Sequence, residues 1–186
     1  MEQLNNEQIG QIMNSTFAGL TLFYRDTNLT DQQASAYKKN MILQELGFTD
    51  ASYRGGGLAT RHRFLIASAR AKDASMFEQG TNWGLVILNS GSFFKVLDVY
   101  TVGDKTQITL LHIPEEGVDI FAQAKINIED QIVEKARAGF EEKLAMPPVP
   151  ELATEAWVNR TQAPIGIDTA GKPFYTWQAG GDDGSK

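Results

Sequence analysis

The side chains best suited to chemistry cluster in one short stretch. Arg54, Arg61, Arg63, Arg70 and Lys72 fall within residues 54–72, which contain no acid and carry a charge of +5. The same stretch holds Gly55-Gly56-Gly57 and His62. Glycine lets backbone amides approach a ligand closely, and a guanidinium offers paired donors to an oxyanion. Residues of these types suit a phosphate or another small anion. The phosphate-loop pattern, however, needs G-x-x-x-x-G-K-[ST] entering a helix. Here the glycines enter a β-rich run, Arg61 to Ala71, and Gly103-Asp104-Lys105-Thr106 also enters a strand. The candidate ligand-binding set is therefore Arg54, Gly55, Gly56, Arg61, His62 and Arg63, with a small phosphate or nucleotide as ligand. The competing reading is a loop of solvated arginines that partly neutralises acidic helices.

His62 and His112 are the only histidines in the sequence. They could meet across a sheet, with Asp98 as a third group, as a general base or part of a metal site. Neither has a carboxylate at helical spacing, and H-E-x-x-H is absent. The ordinary reading of both is a strand residue. Nucleophile patterns are also absent: there is no G-x-S-x-G, and Ser90-Gly91-Ser92 fits a hairpin turn. No G-x-G-x-x-G follows a strand. Paired acids such as Glu115-Glu116 and Glu141-Glu142 are adjacent in sequence, so they do not face one another on a helix. The chain has no cysteine, which removes disulfides, thiolate metal ligands and cysteine nucleophiles. No catalytic residue, cofactor or metal is expected on these grounds.

The basic island lies in an acidic chain. Residues 1–53 carry −3 and residues 73–186 carry −8, for a net charge of −6 over 186 residues. That balance argues against general nucleic-acid binding. Tyr53 and Phe64 are the aromatics within or beside the island, too few to interleave with bases. The first residues lack a basic segment followed by an apolar one, and no apolar run is long enough to span a membrane. The expected location is the cytoplasm.

The elements that would position these residues can be read from periodicity. Asn5 or Asn6 can cap a first helix carrying Ile9, Ile12, Met13 and Phe17 on one face. Leu20, Leu22 and Tyr24 alternate as in a strand, but the segment can also continue the helix. Thr30-Asp31-Gln32-Gln33 is a capping box, which predicts a second helix from about Asp31 to Leu46 with Gly47 after its end. Residues 48–60 read as loop. Residues 61–71 read as a central strand with apolar groups on both faces.

Trp83 to Pro114 has the highest apolar density. Its three β-rich runs are cut by turns at Asn89–Ser92 and Gly103-Asp104, which predicts a meander. By parity, Lys95 and Asp98 fall on opposite faces. Pro114 can start a helix, with a break near an Asn127 cap and a longer helix to about Met146. Five of the six prolines follow Met146, together with Trp157, Phe174, Tyr175 and Trp177.

The expected fold is α+β: an antiparallel meander of about four strands over residues 61–112, covered by the N-terminal helices and a C-terminal helix. Residues 1–146 would form one domain, 147–179 an extended docked arm, and 180–186 a disordered end. Large apolar groups on both sheet faces call for a second cover. The function this suggests is a non-enzymatic, self-associating subunit or assembly component, in which Trp157, Phe174, Tyr175 and Trp177 anchor the arm on a partner or neighbour. The alternative is an anion-binding domain using residues 54–63.

Overall fold

The computed structural model describes residues 4–179. Among these residues the chain builds an eight-stranded mixed sheet in the order β2-β7-β8-β4-β1-β3-β6-β5. The strands are β1 Thr21–Thr27, β2 Ile42–Gln44, β3 Thr49–Ser52, β4 His62–Ser68, β5 Lys72–Asp73, β6 Leu85–Leu88, β7 Phe93–Val102 and β8 Lys105–Ile113. The helices are α1 Asn6–Phe17, α2 Asp31–Ala36, α3 Val118–Gln123, α4 Asn127–Leu144 and α5 Glu155–Arg160.

This corrects the four-stranded meander. The β7–β8 hairpin forms across Gly103, where φ is +62°, a conformation that suits glycine. β6 does not join that meander; it pairs with β3 and β5. β4 pairs in parallel with β8 and antiparallel with β1. β2 and β3 come from segments expected to be helix and loop, and β1 resolves the open reading around Leu22 and Tyr24 as a strand.

Burial explains the helix that was expected to reach Leu46. The Thr30–Gln33 capping box forms, but α2 stops at Ala36 and Tyr37 turns extended. Leu43 then packs in the cluster of Phe64, Phe94 and Leu110, while its neighbour Ile42 packs in the opposite cluster with Leu97 and Phe121. Adjacent residues can serve opposite layers only in a strand, where side chains alternate. Gly47 therefore caps nothing.

Two apolar layers hold the sheet. On one side α1, α3 and α4 bring Ile12, Val118, Phe121 and Ile132 onto Ala67, Leu97 and Leu111. On the other, Leu43 of β2 and Val86 and Leu88 of β6 meet in one cluster. These strands stand far apart in the sheet order, so the sheet curls around that core. α4 starts at Asn127, where the break was expected, but Ile126 precedes it without a side-chain cap.

A bulge in β7 overturns one parity argument. The register against β8 shifts between Val96 and Asp98. An inserted residue reverses which face the following side chains take. Lys95 and Asp98 therefore both reach α4, pairing with Glu129 and Arg137 respectively.

The second cover is the chain's own arm. Ile165 and Ile167 are 1% and 2% exposed and belong to the main core cluster. Trp157 is 1% exposed and packs on Trp83 with ring centroids 5.5 Å apart. Tyr175 meets the edge of Phe93, Trp177 Nε1 donates to Asp119 Oδ1 at 2.9 Å, and Phe174 stays partly exposed. Polar side chains fix the arm's backbone. Arg25 and Thr27 donate to Ala163 O and Gln162 O, and Tyr37 Oη bonds both N and O of Ile165. Glu45 accepts from Gly166 N at 2.7 Å. The expectation for residues 180–186 lies outside the described residues. No helix among the described residues is long and apolar enough to cross a membrane.

Candidate functional site

The six residues of the basic island do not converge. Gly55 lies against the Tyr24 ring, where an added Cβ would come within 2.5 Å of it. Gly56 is closed over by Pro147, and its carbonyl accepts from Arg63. Arg63 is 1% exposed and holds Asp26 through two bonds of 2.7 and 2.9 Å. Arg54 bonds Asn82 O and faces Glu151 at 3.3 Å. His62 Nδ1 accepts from Leu29 N, and burial lowers its pKa. Arg61 remains exposed, 3.6 Å from Asp31. The glycines serve close chain approach, and the buried guanidiniums are held by carboxylates and carbonyls of the same chain.

The two histidines also stay apart. In the parallel β4–β8 pair, His62 lies opposite Thr106, while Leu111 is the partner of Ala67. His112 is thus six residues further along β8 than His62's partner, a separation of roughly 20 Å along the strand. Asp98 is bound by Arg137 Nε and Nη2 at 2.8 and 2.7 Å.

Polar groups do converge at the other end of these strands. β4 ends at Ser68 and leads out to Arg70. His112 lies near the end of β8, and Glu115 and Glu116 follow in a 3₁₀ turn. The turn Asn89–Ser92 closes the third side. Arg70, Asn89, Ser90, Gly91, Ser92, His112, Glu115 and Glu116 line a cavity of about 280 Å³ together with Phe93 and Ile113.

Each wall has a local cause. Gly91 takes φ +76°, which closes the turn, and Ser92 Oγ donates to Asn89 O. Gly91 N donates to Glu45 O, which ties the turn to the segment after β2. His112 is 6% exposed and its ring packs beside Phe94, centroids 5.2 Å apart. Its Nδ1 lies 2.8 Å from Ser68 Oγ, which also accepts from Arg70 N at 3.0 Å.

The electrostatics follow from burial. Desolvation, with Arg70 adding to it, pushes His112 down to about 3, so the ring is neutral at pH 7. Arg70 is exposed at the surface, but partial desolvation against the pocket wall lowers its guanidinium, while Glu116 draws it back up. The pocket thus offers one cation, one neutral ring and two rim carboxylates. Arg70 and His112 were both visible in the sequence, Arg70 in the basic island and His112 as an isolated histidine. What joins them is the parallel β4–β8 pairing, for which no local pattern exists. Among the described residues there is no group of three or more acids and histidines able to hold a metal ion.

No family model matches the chain, and no curated protein does. Solved structures with partial likeness include the type III effector XopAI from Xanthomonas axonopodis pv. citri, at 17% identity and a TM-score of 0.46. That match covers 54% of this chain and 44% of XopAI. ADP-ribosyltransferase HopU1 of Pseudomonas syringae pv. Tomato DC3000 matches at 16% identity and a TM-score of 0.46, over 50% of this chain and 45% of HopU1. Exoenzyme S from Pseudomonas aeruginosa, solved with human 14-3-3 protein beta and carba-NAD, matches at 15% identity and 0.44, over 58% and 60%. The chain spans about half the length of XopAI and HopU1.

The expectation of a non-enzymatic, self-associating subunit is corrected here. Of its expected anchors, Trp157, Tyr175 and Trp177 pack on the chain's own core, which leaves Phe174 exposed.

Proposed function

We propose that this chain is an enzyme domain that takes a small anionic ligand of the phosphate or nucleotide class in the pocket between Arg70 and His112. The observation that supports it most directly is the convergence of an exposed guanidinium with a buried, neutral imidazole on one open cavity. An anion held there meets donors already placed, so little ordering is needed on binding. Glu115 and Glu116, which also line the cavity, would accept from ligand hydroxyls. A cavity of about 280 Å³ lies near the small end for ligand sites, which fits one sugar and its phosphate better than a whole dinucleotide.

The likeness to ADP-ribosyltransferases suggests the first probes. NAD and ADP-ribose come before ribose 5-phosphate and pyrophosphate in a thermal-shift panel, with NAD consumption as the first activity assay. A ligand at 100 times its Kd stabilises the fold by roughly 2.7 kcal/mol. The expected outcome is a shift with at least one phosphate-bearing probe that Arg70→Ala abolishes. A panel without any shift, or a shift that survives Arg70→Ala, removes the reading.

A further inference from the structure

We propose that Ser68 fixes His112 as a neutral donor, so that its Nε2–H and the Arg70 guanidinium together receive a phosphate monoester in its dianionic form. The inference rests on the pocket reading above and adds to it the tautomer, the positioning residue and the charge state of the ligand.

The argument begins with hydrogen counting. A serine hydroxyl has one hydrogen and two acceptor lone pairs. Ser68 Oγ accepts the Arg70 backbone N–H at 3.0 Å. Its nearest other polar neighbour is His112 Nδ1 at 2.8 Å. The serine is 1% exposed, so its own hydrogen needs a protein acceptor. Nδ1 is that acceptor, and the ring's hydrogen then resides on Nε2. Nε2 has no hydrogen-bond partner among the described residues, and His112 lines the cavity. The residue is 6% exposed and its Nε2 keeps contact with solvent there, so a ligand oxygen would take the place of water on that hydrogen.

The same serine sets both donors. Its bond to Arg70 N fixes the turn out of β4 from which the guanidinium projects, while its hydroxyl fixes the ring. Phe94 of β7 packs beside the imidazole and limits its rotation. The charged groups that face His112 are Arg70 from the end of β4 and Glu115 and Glu116 from the turn after β8. β7 and the Asn89–Ser92 turn present none. Burial and Arg70 both keep the ring uncharged.

This arrangement fixes the sign of a pH dependence. A phosphate monoester loses its second proton near pH 6. A pocket that uses Arg70 and a neutral donor binds it more tightly as pH rises through that value. A pocket that needed an imidazolium would lose affinity over the same range, because the ring would shed its charge.

Two measurements on the full chain test the proposal. Nitrogen NMR of the ligand-free protein reads the His112 tautomer directly. The expected spectrum shows Nδ1 unprotonated and Nε2 protonated, unchanged between pH 5.5 and 7.5. Calorimetry with ribose 5-phosphate at those two pH values reads the sign, with tighter binding expected at the higher pH. Ser68→Ala is expected to release the tautomer and to weaken binding at pH 7.5 by about tenfold, the equivalent of one hydrogen bond. A ring protonated on Nδ1, or affinity that falls with rising pH, overturns the proposal even if the phosphate binds. No binding of ribose 5-phosphate at either pH overturns the monoester assignment, whatever the tautomer, while the pocket reading itself is decided by the wider panel above.

Discussion

Lys95 and Glu129 are buried together, with Nζ 3.0 Å from both carboxylate oxygens and from Ala124 O. Neither charge has water to fall back on. Burial raises the Glu129 carboxyl, and the bonds from Lys95 pull it back down. Removing one partner strands the other, which costs about 3–5 kcal/mol. Lys95→Met should lower the urea midpoint accordingly, and Lys95→Met with Glu129→Leu should recover most of the loss. Equal losses in the single and double variants would show that packing, not charge, holds the site. Gly57 gives a second case. A Cβ there would lie 1.9 Å from Met146 O, and the contact is with backbone rather than a flexible side chain. Gly57→Ala is expected to destabilise by at least about 1–3 kcal/mol, read from the thermal midpoint. A midpoint unchanged from the parent would mean that the 143–147 segment yields freely. The sequence presents Gly55–Gly57 as freedom near a ligand; the structure uses it for close approach of two chain segments.

At the scale of elements, local patterns were legible where one face decides the outcome. The α2 capping box, the Gly103 turn and the α3–α4 break are all short-range features. β4 also read as a strand buried on both faces, and it is. Misreadings arose where distant partners decide. Residues 42–46 have helical spacing, yet Ile42 and Leu43 must serve opposite layers. β1 alternates, but its pairing with β3 and β4 was not visible. The arm is the largest such case. Its prolines argue for an extended arm, yet α5 forms at Glu155–Arg160 between them, and nothing local says that Ile165 and Ile167 enter the domain's own core. Tyr37 is the residue to test. Its hydroxyl bonds both Ile165 N and Ile165 O, so Tyr37→Phe leaves two buried backbone groups unpaired. The expected cost is about 1–3 kcal/mol, with faster hydrogen exchange confined to the arm. Exchange that accelerates equally in β4 and β8 would show that arm and sheet open as one unit.

At the scale of the whole molecule, two effects make opposite claims about acid. The sequence pI is about 4.9, so net self-repulsion is smallest near that pH, and on charge alone the fold should be most stable there. Buried histidine argues the other way. His112 is held down to about 3 in the folded chain, and His62 is lowered as well. The unfolded chain takes up a proton at His112 below about pH 6.5, whereas the folded chain does not until about pH 3. The unfolded state therefore binds more protons throughout that window, and stability falls as pH falls, by up to about 1.4 kcal/mol per unit from His112. Glu129 opposes this in part, since its raised carboxyl favours the folded state as acid protonates it; that offset acts around and just above the ordinary carboxylate range. Between pH 6.5 and 5.5 the histidine term dominates, because few carboxylates titrate there. Chemical denaturation at pH 7, 6 and 5 should show stability declining toward the pI, and His112→Asn should flatten the slope between 6.5 and 5.5. A stability that rises steadily toward pH 5 in the parent chain would mean that self-repulsion outweighs the buried ring.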